Sequence, residues 1–277
     1  MDILTAFIVI LSISLLAGIL LLVFSYLFPN NKNPLEKEIR ECLPGINCGA
    51  CGYKGCDDYA AALVEGGVKT SLCVPGAQIT ADKISNILGI EKEEVEDVVA
   101  FVACNGHCDA TFPVAKYEGI STCLAASMLY GGTNACSFGC LGYGDCANVC
   151  PSGAICLDDG IAHIDTSRCL GCRLCEKTCP KQIITMLPQN TATVVMCSNK
   201  QKGADARKAC KNACIGCKKC EKTCPHGAIA VRDNVAVIDY SKCENCGLCI
   251  GECPTGCLKT VFFPDLPADY DFSALTE

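Results

Sequence analysis

Eight cysteines, Cys136, Cys140, Cys146, Cys150, Cys169, Cys172, Cys175 and Cys179, recur 74 residues later. The second set is Cys210, Cys214, Cys220, Cys224, Cys243, Cys246, Cys249 and Cys253, and Cys123 maps onto Cys197 by the same step. Ungapped self-similarity of this kind marks a duplicated supersecondary unit. The complete runs, such as Cys243 to Cys253, have the spacing C-x2-C-x2-C-x3-C and end in Cys-Pro. Thiolates so spaced wrap cubic 4Fe-4S clusters, whose chemistry is one-electron transfer. Zinc fits less well, because tetrahedral sites usually pair two C-x2-C knuckles. A disulfide framework would explain 28 cysteines only in an oxidising compartment.

In two-cluster ferredoxins the fourth cysteine of each run ligates the other run's cluster. Copy two then yields two sets, Cys214, Cys217, Cys220 with Cys253, and Cys243, Cys246, Cys249 with Cys224. Copy one yields Cys169, Cys172, Cys175 with Cys150. Its other run has Tyr143 where copy two has Cys217, which leaves Cys140, Cys146 and Cys179 one ligand short. Cys136, separated from the run by three residues, is the expected fourth ligand; a three-iron cluster or a non-cysteine ligand are the alternatives. Upstream, Cys48-Gly-Ala-Cys51-Gly-Tyr-Lys-Gly-Cys56 with Cys73 supplies a further set, its glycines letting the backbone wrap closely around a cube. These make five clusters. Cys104, Cys108, Cys123, Cys197 and Cys210 remain over and could supply a sixth. Two ligand sets compete for it, Cys104, Cys123, Cys197 and Cys210, or Cys104, Cys108, Cys123 and Cys136. Cys42, Cys156 and Cys257 read as small buried side chains.

The elements that must position these thiols read as an α+β chain. Ile3 to Phe28 runs without one charged side chain, longer than a bilayer core requires of a helix. No Lys or Arg precedes it, whereas Lys32, Lys37 and Arg40 follow it, so the positive-inside rule puts the remainder in the cytoplasm. Thiolate chemistry asks for the same reducing side. Residues 1–29 are then a transmembrane anchor and 30–79 a small cluster domain, in which a helix over Asp57 to Glu65 returns the chain towards Cys73. Residues 80–135 form a connecting segment with extra cysteines, with a helical pattern over Thr80 to Val99 whose acids face solvent. Ferredoxin-like modules follow at 136–187 and, with a basic lead-in, 188–260; an acidic tail occupies 261–277. Each module should contain a β-hairpin, Ala154 to Leu157 with Ile161 to Ile164, and Ala228 to Arg232 with Val235 to Ile238. Short helices should follow each cysteine run.

The net charge of −7 conceals an asymmetry. Between Cys197 and Cys224 stand Lys200, Lys202, Arg207, Lys208, Lys211, Lys218, Lys219 and Lys222 against Asp205 and Glu221 alone, a local +6 that leaves −13 for the rest. Such a face suits docking of an acidic redox protein such as soluble ferredoxin; a solvated surface around an anionic cluster explains it equally. There is no Walker loop, no dinucleotide G-x-G-x-x-G and no acid–base pair, so small-molecule catalysis and nucleotide binding are not expected. No nucleic-acid partner is expected either.

One N-terminal membrane helix, the Cys48 to Cys56 motif with Cys73, and tandem ferredoxin runs together resemble the B subunit of the Rnf complex, the ion-translocating ferredoxin:NAD+ oxidoreductase of bacterial membranes, in the longer form with two ferredoxin modules. The first motif discriminates, since ferredoxin runs are widespread. The resemblance implies a translocase subunit in the cell membrane that accepts electrons from reduced ferredoxin. It would hand them to partner subunits carrying the flavin and NAD sites while Na+ or H+ moves outward. Two other roles fit the residues: the relay arm of a hydrogenase or formate-oxidising enzyme, and a membrane-tethered redox sensor.

Overall fold

A computed structural model describes residues 3–27 and 33–260. Phe28, Lys32 and the 261–277 tail lie outside the described residues. Helix α1 (Ile3–Leu27) has 25 residues and no charge. Roughly 37 Å long at 1.5 Å per residue, it exceeds a bilayer core. Every residue from Phe7 to Phe24 is exposed among the described residues.

A helical unit follows. In α2 (Pro34–Cys42) Asn33 caps the first turn through Leu35 N–H at 3.1 Å, and Pro34 sits where its missing N–H costs nothing. It packs with α3 (Cys56–Glu65) and α4 (Ala77–Leu88) around Ile39, Tyr59, Leu63 and Ile84. The helix expected to reach Val99 ends instead at Leu88, because Gly89 takes the left-handed conformation (φ 66°) that closes a helix. The acidic stretch beyond it is not helical, and the β-branched run Val98–Val102 forms strand β1.

The duplicated region is built from small antiparallel pairs. Copy one contains α5 (Cys123–Ser127), α6 (Asp145–Asn148), β2 (Ile155–Asp158), β3 (Ile161–Ile164), α7 (Leu174–Thr178) and β4 (Ile184–Pro188). Copy two contains β5 (Thr193–Val195), α8 (Gly203–Ala209), α9 (Lys219–Thr223), β6 (Ile229–Arg232), β7 (Val235–Ile238), α10 (Leu248–Gly251) and β8 (Leu258–Thr260). The expected hairpins are present, with Ile155 opposite Ile164 and Ile229 opposite Ile238. The short helices α6, α7, α9 and α10 do not follow the cysteine runs. They sit inside them, between the second and fourth positions of each run, where the x3 spacing is one helical turn.

Strand β1 pairs with β4, and β5 pairs with β8. This pairing alters the repeat inferred from sequence. Cys104 stands two residues beyond β1 as Cys197 stands two beyond β5; Ala103 N–H bonds to Ile183 O, and Met196 N–H to Cys257 O, each at 2.8 Å. Ile183 and Cys257 are 74 apart, so Cys197 corresponds to Cys104 rather than to Cys123. The segment carrying Cys108 and Cys123 is an insertion in copy one, which an ungapped repeat conceals.

Candidate metal centres

In all four ferredoxin runs the residues flanking the second cysteine position are left-handed. They are Gly142 and Gly144, Gly171 and Arg173, Gly216 and Lys218, and Asn245 and Gly247, with φ between 54° and 81°. Alternating handedness turns successive backbone N–H groups towards one point, a concavity suited to an anionic cluster. The run interrupted by Tyr143 keeps this backbone.

Copy two has two cysteine-lined cavities. One is lined by Cys214, Cys217, Cys220 and Cys253, the other by Cys224, Cys243, Cys246 and Cys249. Each set therefore crosses between the runs, as the fourth-cysteine rule requires. Cys257 is buried 3.6 Å from the Cys253 sulfur. It lines the same cavity, and hydrogen bonding with it lowers Cys214 to about 6 and Cys253 to about 4 while raising its own pKa.

In copy one, burial pushes the Cys175 thiol up to about 12, with Cys169, Cys172 and Cys150 as its charged neighbours. Ala154 N–H points at the Cys150 sulfur at 3.3 Å, and its counterpart Ala228 N–H at Cys224 at 3.4 Å. A third cavity departs from expectation. It is lined by Cys140, Cys146, Cys179 and Cys123, and Cys136 does not line it. Burial, then the thiols of Cys140, Cys123 and Cys179, push Cys146 up to about 12. Cys123 opens α5, whose cap is Thr122 and whose first N–H groups are held by the Asp145 carboxylate. The fourth thiol lining this cavity thus comes from 17 residues before Cys140, from a residue that spacing alone does not single out.

Cys136 instead lines a fourth cavity with Cys104, Cys197 and Cys210, which Cys140 of the preceding set also borders. Neither set expected for a sixth cluster matches this one. Cys123 is engaged elsewhere, and Cys108 is exposed, its N–H bonded to Asp159 O at 2.9 Å.

The N-terminal cysteines converge as well. Cys73 is buried and its pKa pushed up to about 11 by burial, then by Cys56, Cys51 and Cys48 around it. Asn47 Oδ1 accepts Cys56 N–H at 2.8 Å, and Glu93 accepts Ser71 N–H at 3.2 Å, holding the turn that delivers Cys73. Glu93 is therefore bound rather than solvated. Lys177, in α7, donates to the carbonyls of Cys48 (3.3 Å) and Gly49 (3.1 Å), which joins this unit to copy one beside Cys172. Of the cysteines read as packing residues, Cys156 and Cys257 are buried and Cys42 is half-buried.

These sites fit cubic clusters better than the alternatives. All 28 cysteines are free thiols. Among the described residues, no group of three or more His, Cys, Asp or Glu side chains is placed to hold a single metal ion. The sulfurs instead surround cavities, as a cube with ligands at its corners requires. Because burial raises most of these thiols, cluster loading must expel protons.

Family models agree with the geometry. A putative Fe-S cluster model matches residues 43–75, a 4Fe-4S binding domain residues 161–184, and a 4Fe-4S dicluster domain residues 213–257. The B subunit of the Na(+)-translocating ferredoxin:NAD(+) oxidoreductase complex of Acetobacterium woodii is 41% identical, over 88% of this chain and 74% of its own. The B subunit of the proton-translocating complex of Clostridium ljungdahlii is 40% identical over 90% and 89%. The chain belongs to this B-subunit family. The B subunit of the ion-translocating oxidoreductase complex of Methanosarcina acetivorans, 36% identical over 86% of this chain and 90% of its own, is a further member. Family and domains together make the protein an iron–sulfur electron-transfer subunit of an oxidoreductase, with one helix among the described residues long and apolar enough to cross a membrane.

Proposed function

We propose that the protein accepts electrons from reduced ferredoxin and relays them singly, through 4Fe-4S clusters, to partner subunits of a ferredoxin:NAD+ oxidoreductase that moves Na+ or H+. Five clusters would be held by Cys48, Cys51, Cys56 and Cys73; by Cys150, Cys169, Cys172 and Cys175; by Cys123, Cys140, Cys146 and Cys179; by Cys214, Cys217, Cys220 and Cys253; and by Cys224, Cys243, Cys246 and Cys249. Bound clusters supply one-electron centres, whose potentials depend on burial and on hydrogen bonds to sulfur. The chain supplies such bonds at Cys150, Cys169 and Cys224 through the N–H groups of Ala154, Ala100 and Ala228.

The observation that carries this reading is the succession of cysteine-lined cavities along one chain. Helix α1 would cross the membrane once, with Lys37 and Arg40 and every cluster on the cytoplasmic side. All eight basic side chains between Lys200 and Lys222 are exposed, and Lys218 flanks the cavity of Cys217, itself exposed. That is where an acidic ferredoxin would dock. The module boundary of copy one would extend back to β1, its pairing partner. Flavin and NAD sites would belong to partner subunits.

The test mixes full-length, cluster-loaded protein anaerobically with reduced ferredoxin. Rapid bleaching of the cluster absorbance is expected; a loaded chain that stays oxidised would overturn the proposal.

A further inference from the structure

We propose that Lys181 sets the potential of the site at Cys123, Cys140, Cys146 and Cys179, its ammonium favouring the form of that site that carries one electron more. The proposal rests on the relay reading above and gives one of its steps a direction.

Lys181 stands two residues after Cys179 and lines the same cavity as Cys123, Cys140, Cys146 and Cys179. It is half-buried, and its Nζ donates to the carbonyls of Gly131 and Ser137. An ammonium has three donors and no acceptor, so two carbonyls fix the charge in place without cancelling it. Burial lowers the Lys181 pKa, while Cys136 and Cys179 beside it raise it. The one carboxylate lining the cavity, that of Asp145, accepts the N–H groups of Cys123 and Leu124.

The duplication supplies the comparison. A step of 74 takes Lys181 to Thr255, which lines the equivalent cavity of Cys214, Cys217, Cys220 and Cys253, its hydroxyl 3.7 Å from the Cys253 sulfur. Lys218, the cation lining that cavity, is exposed, and solvent screens it. Gly131 belongs to the insertion that copy two lacks, so half of the Lys181 anchor has no counterpart there. The segment that brings Cys123 into the site therefore also holds the cation beside it.

Cluster potentials respond to nearby charge, and half-buried charge is screened less than exposed charge. A fixed cation stabilises the more negative, reduced form. The donor is oxidised by one electron as this site is reduced by one, and no bond forms or breaks. With Lys181 in place the site holds that electron more readily than it would with a neutral residue there.

The test is an anaerobic redox titration of the full-length, cluster-loaded chain in detergent, following the spin signals of the reduced protein and the iron content of each variant. The signal that Cys123→Ala abolishes identifies the site. In Lys181→Gln, whose amide keeps two donors for the two carbonyls, that signal alone is expected to move, to an electron affinity about tenfold lower, or about 59 mV down for a one-electron couple. Lys181→Arg, which keeps the charge, should leave it in place. Should Lys181→Gln lose its iron, Lys181→Met is read in the same way. An unmoved signal in the neutral variant, an equal shift in Lys181→Arg, or a shift shared by every signal would overturn the proposal. Iron lost from both neutral variants would make Lys181 a structural tie and likewise overturn it. An unmutated chain that takes up no electrons, or a Cys123→Ala variant that loses no signal, would instead overturn the relay reading and its ligand set.

Discussion

The carboxylate of Asp145 accepts the backbone N–H of Cys123 at 2.9 Å, and its second oxygen takes Leu124 N–H at 3.0 Å. Asp145 belongs to the cysteine run that Tyr143 interrupts, so the run that lacks a thiol also holds the helix that delivers one. Asp145→Ala should weaken this anchor by roughly 1–2 kcal/mol, as loss of a helix cap does. One cluster should then surrender its iron to a chelator faster than the rest; uniform chelation kinetics would show that Asp145 has no such part.

Cys123→Ala should lower the iron content by about four atoms. Tyr143 lies at the position that Cys217 fills in copy two, on a loop with the same backbone, and packs edge-on against Tyr117 at 5.6 Å. Restoring the thiol with Tyr143→Cys in the Cys123→Ala background should therefore recover the lost iron. Failure of the double variant alone would mean that a thiol at position 143 does not reach the cavity.

Backbone geometry makes a ranked prediction. A Cβ at Gly142, with φ 74°, would meet Gly160 O at 2.6 Å, whereas at Gly216, with φ 63°, it would meet Asn234 O at 3.0 Å. Gly142→Ala should cost about 1–3 kcal/mol and Gly216→Ala less, read from thermal unfolding of each variant.

Lys177 links the N-terminal unit to α7 through two carbonyl bonds. Lys177→Met should release this contact, worth about 0.5–1.5 kcal/mol, and raise amide exchange around Cys48 to Gly52 by up to about tenfold. Unchanged exchange there would mean that other contacts hold the two units together.

Lys218 and Lys219 are both exposed beside the Cys217 loop. Lys218→Glu with Lys219→Glu should slow reduction by ferredoxin, and the unmutated rate should fall as salt rises, because steering by exposed charge is screened. Salt-independent rates in both proteins would exclude docking at this face.

Much of this was legible in the residues. Runs with regular spacing pointed to Cys214 through Cys253 as two crossed sets, because a ferredoxin loop is local and its spacing is its geometry. The hairpins were legible for the same reason, from alternating apolar residues around Asp, Asn and Gly. Cys123 was not, since its place depends on a long-range bond to Asp145. The pairing of β1 with β4 was hidden too. It joins residues more than 80 apart, and the acids before it mimic a helix that Gly89 ends. The correspondence of Cys104 with Cys197 needed that pairing, because an insertion had shifted the register.

The most direct measurement is an anaerobic density map of the full-length, cluster-loaded chain, resolving which sulfurs touch iron. Cys123, Cys140, Cys146 and Cys179 are expected around one cube, with Cys136 outside it. Sulfur bonded to sulfur, single zinc ions, or Cys136 in the place of Cys123 would contradict it.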